Sequence, residues 1–191
     1  MQTLTLAPSC LTVKEYLLKE SQADEKSELI EGVLVPMAGA SANHNRIVIN
    51  FSRLLPPEIP GQTVDIFISD MRLGLPDYAT YTYPDIVVVR GEPQFQSPKQ
   101  TEVLNPCLLV EVLSPSTDRY DKTDKFRLYR SLPSLEEYLL ISQTDYLVQQ
   151  YTKVDDRRWL LQDWIGLEAI FTLSSLGVEI ALQDLYKRVS F

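Results

Sequence analysis

Two carboxylates stand where buried strands ordinarily carry apolar side chains. Pro84-Asp85 opens the run Ile86-Val87-Val88-Val89, and Leu108-Leu109-Val110 leads into Glu111-Val112-Leu113 and the turn Ser114-Pro115-Ser116-Thr117. Both runs are short, rich in β-branched residues and bounded by Pro, Gly or Ser, the pattern of buried strands. A carboxylate is rarely buried in full unless it is paired or bound to a metal. Two such acids on neighbouring strands would form one shared site. Close acids repel and favour a cation between them, and hard oxygen ligands suit Mg²⁺ or Mn²⁺. Other chemistries find less support. Ser114 and Ser116 sit beside proline as turn residues, no Gly-rich phosphate loop is present, and Asp85 and Glu111 lack the helical spacing of a zinc motif.

The elements that must position these acids follow from the pattern. Leu11-Thr12-Val13-Lys14-Glu15-Tyr16 predicts a helix to about Lys19 or Glu20, with a Thr12/Glu15 capping box and a Leu11–Tyr16 staple. Residues 28–35 read as a strand, bulged or turned at Gly32, with an acid on each face: Glu28 on one, Glu31 on the other. A helix from about Ala42 to Leu55 carries the stripe Ile47, Val48, Phe51, Leu54 and Leu55, with His44 in its first turn, where the helix dipole disfavours the imidazolium. Strands are expected at 63–68, 71–75, 86–89, 108–113, 137–141, 146–151, 159–161 and 178–182. A helix capped by Thr117 or Asp118 should run to about Ser131, with Asp121, Lys125 and Leu128 on one stripe and Lys122, Phe126 and Tyr129 on the next.

The chain has 191 residues, 45% hydrophobic and 23% charged, enough for one domain with a real core. It has no apolar run of membrane-spanning length and no signal-peptide pattern at Met1–Leu6, and its two cysteines lack zinc spacing, so a cytoplasmic protein with reduced thiols is expected. Net charge −8 speaks against tight non-specific binding to a polyanion. Arg119, Lys122, Lys125, Arg127 and Arg130 offer a local basic surface, or a solvated helix face diluted by Asp118, Asp121 and Asp124.

At Pro84-Asp85 and Glu111 to Thr117 the chain resembles the Uma2 family, also called DUF820, a restriction-endonuclease-like group abundant in cyanobacteria and part of the PD-(D/E)xK nuclease superfamily. The likeness extends over nearly the whole chain: residues 28–37 followed by His44, then Asp121, Lys125 and Tyr129 spaced after the Ser-Pro-Ser-Thr turn, then Glu137-Tyr138-Leu139. The resemblance implies an α/β (α+β) fold, a mixed β-sheet with helices on both faces. It implies one domain over 1–191, with an N-terminal helix and loop at 1–26, a catalytic core at 27–142 and C-terminal strands and closing helix at 143–191. It also implies an endonuclease whose Asp85 and Glu111, with the Val112 carbonyl, hold Mg²⁺ or Mn²⁺ for hydrolysis of DNA. The superfamily's usual lysine position is Leu113 here; the family supplies its lysine from the following helix, as Lys125, with Lys122 as the second choice. Tyr83 stands where the family often has a basic residue, and Ser142 where it has an acid.

In that chemistry Lys125 orients or deprotonates a water or stabilises developing charge. Glu28, ahead of Glu31, is a further ligand or water-positioning group, and His44 contacts a phosphate or the leaving group. Two other functions fit the same residues: a non-catalytic module binding nucleic acid or a protein on a degenerate nuclease fold, and hydrolysis of another phosphate ester. The apolar C-terminal part is compatible with a homodimer, and no membrane partner is expected.

Overall fold

The computed structural model describes residues 10–37, 39–114 and 120–191. Helix α1 (Val13–Glu20) begins as its sequence dictates. Glu15 donates its N–H to Thr12 Oγ1, and the Glu15 carboxylate accepts the Thr12 N–H at 2.8 Å. Leu11 packs beside the buried Tyr16. The expected 28–35 strand is a hairpin, β1 (Ser27–Ile30) and β2 (Val33–Pro36). Glu31 and Gly32 both have positive φ, 48° and 86°, which gives the twist of a two-residue type I′ turn. Gly32 suits the positive φ, and a Cβ there would also push the exposed Cys10 side chain aside.

The main sheet has seven strands: β3 (Glu58–Ile59), β4 (Gln62–Ile68), β7 (Ile86–Arg90), β9 (Leu108–Leu113), β10 (Glu137–Ser142), β11 (Leu147–Lys153) and β12 (Trp159–Ile165). Their order is β12-β11-β10-β9-β7-β4-β3, antiparallel except for the parallel pair β9–β10. A second sheet joins β1 and β2 to β5 (Arg72–Leu75), β6 (Thr80–Thr82) and β8 (Glu102–Val103), and β13 (Ile170–Leu173) pairs with β14 (Val178–Ala181). The mixed β-sheet flanked by helices that the resemblance implies is present, accompanied by two smaller sheets. β6, β8 and β13 are too short, at two to four residues, to raise a periodic signal.

Strand alternation divides the core in two. Ile86, Val88, Leu108, Val110, Val112, Leu139 and Ile141 face helix α2 (Ala42–Leu54) and the C-terminal helix. Val87, Val89, Leu109, Leu113, Tyr138 and Leu140 face the second sheet and the 121–129 helix. Each fully buried aliphatic side chain contributes roughly 1.5–3 kcal/mol relative to exposure. From Tyr120, which is already helical, the chain runs through a π turn, Asp121–Lys125, and continues as α3, Phe126–Tyr129. The expected helix cap at Thr117 or Asp118 lies outside the described residues. Helix α4 (Leu182–Leu185) closes the chain. Among the described residues no helix is long and apolar enough to cross a membrane.

Glu137, at the start of β10, is fully buried, and its function is to hold the fold. Its carboxylate accepts from Gln150 Nε2 (2.8 Å), Ser174 N–H (2.9 Å), Ser175 N–H (3.0 Å) and Ser175 Oγ (2.5 Å), fastening the β13–β14 turn to the sheet. Both cysteines are free: Cys10 is exposed, whereas burial pushes the Cys107 thiol up to about 11. A thiolate is the reactive form. One thiol per chain, Cys10, should therefore react with Ellman's reagent at pH 8 in the native protein, and the second only in denaturant. A native C10S variant that still reacts rapidly would contradict this burial.

Candidate functional site

The site lies where β7 and β9 meet the second sheet and the 121–129 helix. The antiparallel pair Ile86↔Val110 brings Asp85 beside Glu111 at the entrance of β7. Asp85 Oδ2 accepts the Val112 N–H at 2.7 Å and lies 3.1 Å from His44 Nε2. His44 reaches it from the first turn of α2, whose start is fixed by the His44 N–H donating to Ser41 Oγ at 3.0 Å. His44 Nδ1 is buried and makes no hydrogen bond among the described residues.

Glu111 shares the strand face of Leu109 and Leu113 and is 5% exposed. Its Oε1 lies 3.1 Å from Lys125 Nζ and 3.0 Å from the Tyr129 hydroxyl. Lys125, 6% exposed, also meets Asp121 Oδ1 at 3.3 Å and Glu28 Oε1 at 3.4 Å. Glu28 is anchored by the Tyr83 N–H at 3.0 Å, and the Asp121 backbone carbonyl by the Tyr138 hydroxyl at 3.1 Å.

One ammonium thus faces three carboxylates, with Asp85 close enough to be felt by Glu111. Burial raises the Glu111 carboxyl well above its ordinary range. Lys125 opposes that rise, and Asp121, Asp85 and Glu28 add to it. For Lys125, burial alone would lower the value, but Glu111, Glu28 and Asp121 together overturn it and hold the amine well above its usual value. The ammonium stays charged, and negative charge remains in excess. Burial, reinforced by Glu111, keeps the Tyr129 and Tyr138 phenols protonated.

The sequence left open which acid of the first hairpin turns inward. Glu28 does; Glu31 sits in the exposed turn and pairs with Arg127 Nη2 at 2.8 Å. Lys125, not Lys122, carries the ammonium that meets Glu111. Of the cations of the expected basic surface, Lys125 is buried among acids and Arg127 pairs with Glu31 while staying exposed; Arg119 lies outside the described residues. Asp121, Tyr129 and Thr82 belong to the site; the sequence reading named Asp121 and Tyr129 only as residues of the family resemblance, without a chemical role, and did not name Thr82. Thr82 Oγ1 is 2.9 Å from the Tyr129 hydroxyl. The i, i+4, i+8 spacing of Asp121, Lys125 and Tyr129 was the available signal.

The acids here offer hard oxygen donors of the kind that divalent cations take. Glu28, Asp85 and Glu111 each place their protein hydrogen bonds on one carboxylate oxygen, and the other oxygen makes none among the described residues. No group of three or more His, Cys, Asp or Glu side chains among those residues stands ready to hold an ion. The set read from the sequence is two side chains and the Val112 carbonyl, and the Val112 peptide is fixed there through its N–H.

The Uma2 family model, described as "Putative restriction endonuclease", matches residues 13–183. "Uncharacterized protein sll1609" of Synechocystis sp. (strain ATCC 27184 / PCC 6803 / Kazusa) is 50% identical over 168 residues, covering 88% of this chain and 95% of that protein. "Uncharacterized protein slr1290" of the same organism is 36% identical over 182 residues, covering 95% and 94%. The fold resembles the crystal structure of a putative nuclease belonging to DUF820 from Anabaena variabilis ATCC 29413, with a TM-score of 0.71, 19% identity and coverage of 94% of this chain and 99% of that one.

Removing the ammonium leaves its carboxylates facing one another in a dry site. In the absence of divalent ions, Lys125→Met should lower stability at pH 8 by about 3–5 kcal/mol. Glu111 has a folded-state value raised above its unfolded one, so its cost appears only as pH rises above the ordinary carboxylate range, and losing Lys125 enlarges it. Urea unfolding at pH 5 and pH 8 checks this: the deficit should narrow at pH 5, and an equal deficit at both would refute it.

Proposed function

The chain belongs to the Uma2 family, and from that membership we propose a divalent-metal-dependent endonuclease that hydrolyses phosphodiester bonds in DNA. The observation that carries the reading is the buried meeting of Lys125 with Glu111 at 3.1 Å beside Asp85. Asp85, Glu111 and the Val112 carbonyl are the groups that would hold Mg²⁺ or Mn²⁺. Such an ion supplies a bound water of lowered pKa and polarises a phosphoryl oxygen.

The chain's own residues do the rest. Glu111, Glu28 and Asp121 hold the Lys125 amine above its usual proton affinity, which favours a charge-supplying role. Lys125 supplies positive charge where the phosphate gathers negative charge, and it orients water. Glu28 and Asp121 hold that ammonium at the rim of the acids. His44 orients Asp85 through Nε2, and its second ring nitrogen is the group to meet a phosphate or leaving oxygen. Two observations favour the alternative of a binding module that does not cleave: the net charge of −8, and the engagement of Lys125 by three carboxylates.

Purified protein incubated with plasmid and single-stranded DNA should cleave when Mg²⁺ or Mn²⁺ is added and not when the ion is chelated. Asp85→Ala and Glu111→Ala should fall to background, and Lys125→Ala should lose about 10²-fold or more. Cleavage that survives both acid substitutions would place the activity elsewhere. A salt-dependent DNA shift without cleavage, together with no calorimetric binding of millimolar metal, would select the binding module.

A further inference from the structure

We infer that Tyr129 is a positioning residue of this site, its phenol fixing which oxygen of Glu111 is offered to a cation. The inference rests on the metal-dependent reading above. The Tyr129 side chain is fully buried, and its hydroxyl lies 3.0 Å from Glu111 Oε1 and 2.9 Å from Thr82 Oγ1. Three elements meet at that one oxygen: α3, β9 and β6. An ionised carboxylate only accepts, and a phenol has one O–H to give. The consistent arrangement is therefore a chain in which the Thr82 hydroxyl donates to Tyr129 and Tyr129 donates to Glu111.

Glu111 needs such an anchor. Its other partner, Lys125, is a flexible stem ending in three rotatable donors, which neutralises charge without fixing direction. Tyr129 is rigid: its ring packs edge-on against Tyr138 at 5.4 Å, and two torsions define its hydroxyl. With Oε1 held by Tyr129 and Lys125, Oε2 is the oxygen left without a hydrogen bond among the described residues.

The helix is built to deliver this contact. Four residues carry an α-helix slightly past a full turn and a π turn slightly short of one. The π turn Asp121–Lys125 followed by α-helical Phe126–Tyr129 makes the two drifts cancel, so Asp121, Lys125 and Tyr129 line one face. Plain α periodicity would swing Tyr129 away from Asp121. A tyrosine needing only a partner for a buried hydroxyl would be satisfied by Thr82 alone.

The test is Mn²⁺ binding by titration calorimetry, with thermal unfolding of the metal-free protein alongside. Tyr129→Phe should stay folded and bind Mn²⁺ about 10- to 100-fold more weakly, as expected for losing a group that orients a ligand. Thr82→Val should bind nearly as the parent does, because the phenol still donates to Glu111. Should Tyr129→Phe fail to fold, the double variant Thr82→Val/Tyr129→Phe removes both hydroxyls and leaves no orphan on Thr82, and the same weakening is read there. Parent-like Mn²⁺ affinity in the Phe variant, with binding abolished by Glu111→Gln, overturns the role of Tyr129 and leaves the metal site standing. Failure of the parent to bind, or of Glu111→Gln to weaken binding, overturns the metal reading and this inference with it.

Discussion

A carboxylate in the middle of a seven-stranded sheet is the constraint to which the surrounding structure answers. Glu111 sits between Leu109 and Leu113 on a face otherwise given to aliphatic and aromatic packing. Leaving that charge without compensation would cost several kcal/mol. The compensation arrives from three directions: the Lys125 ammonium, the Tyr129 hydroxyl and, behind them, Glu28 and Asp121, which keep the ammonium in place. The 121–129 helix and the first hairpin are thereby tied to the central strand through a polar cluster rather than through apolar contact alone. The same cluster carries more negative than positive charge, so it resists becoming a closed, purely structural network.

This arrangement explains the irregular backbone around it. The π turn at Asp121–Lys125 departs from the helix that local propensity favours, and it is found at the residues that face the acids. The type I′ turn at Glu31-Gly32 lets β1 present Glu28 inward while Glu31 is spent outside on Arg127. A straight strand through residues 28–35 would have continued the alternation and offered no reason to choose between the two acids.

Much of this was legible before any coordinates. Acids at Asp85 and Glu111 in strand runs, the capping box of α1 and the α2 stripe all follow from residue type and spacing, because each rests on a local rule; the lysine came from the family resemblance alone. What the sequence could not resolve depends on tertiary pairing. Strands of two or three residues such as β6 and β8 exist only because neighbours complete their ladders, so β6, which brings Thr82 to the site, gave no periodic signal. The basic segment 119–130 stayed ambiguous for a related reason: charge counting assumes exposure, and Lys125 is buried. The stripes drawn for an ideal α-helix put Tyr129 on a different face from Asp121 and Lys125, although the resemblance had named the three together.

Glu137 and Glu111 separate fold from site within a single strand pair. They lie on adjacent parallel strands, with Glu137 opposite Leu108 and Glu111 opposite Leu140. Sequence alone treats them alike, as acids in apolar runs. Glu137 is closed off by four donors distributed over both its oxygens, three of them from the Ser174-Ser175 turn, so nothing further can approach it without breaking the hairpin. Glu111 has its protein hydrogen bonds on one oxygen, from one movable ammonium and one rigid phenol, with further carboxylates nearby. A buried acid saturated by fixed amide and hydroxyl donors is a structural fastening. A buried acid neutralised on one oxygen by a side chain that can move keeps a place for another cation, and it is this difference in partners, not burial, that directs the search for chemistry to β9.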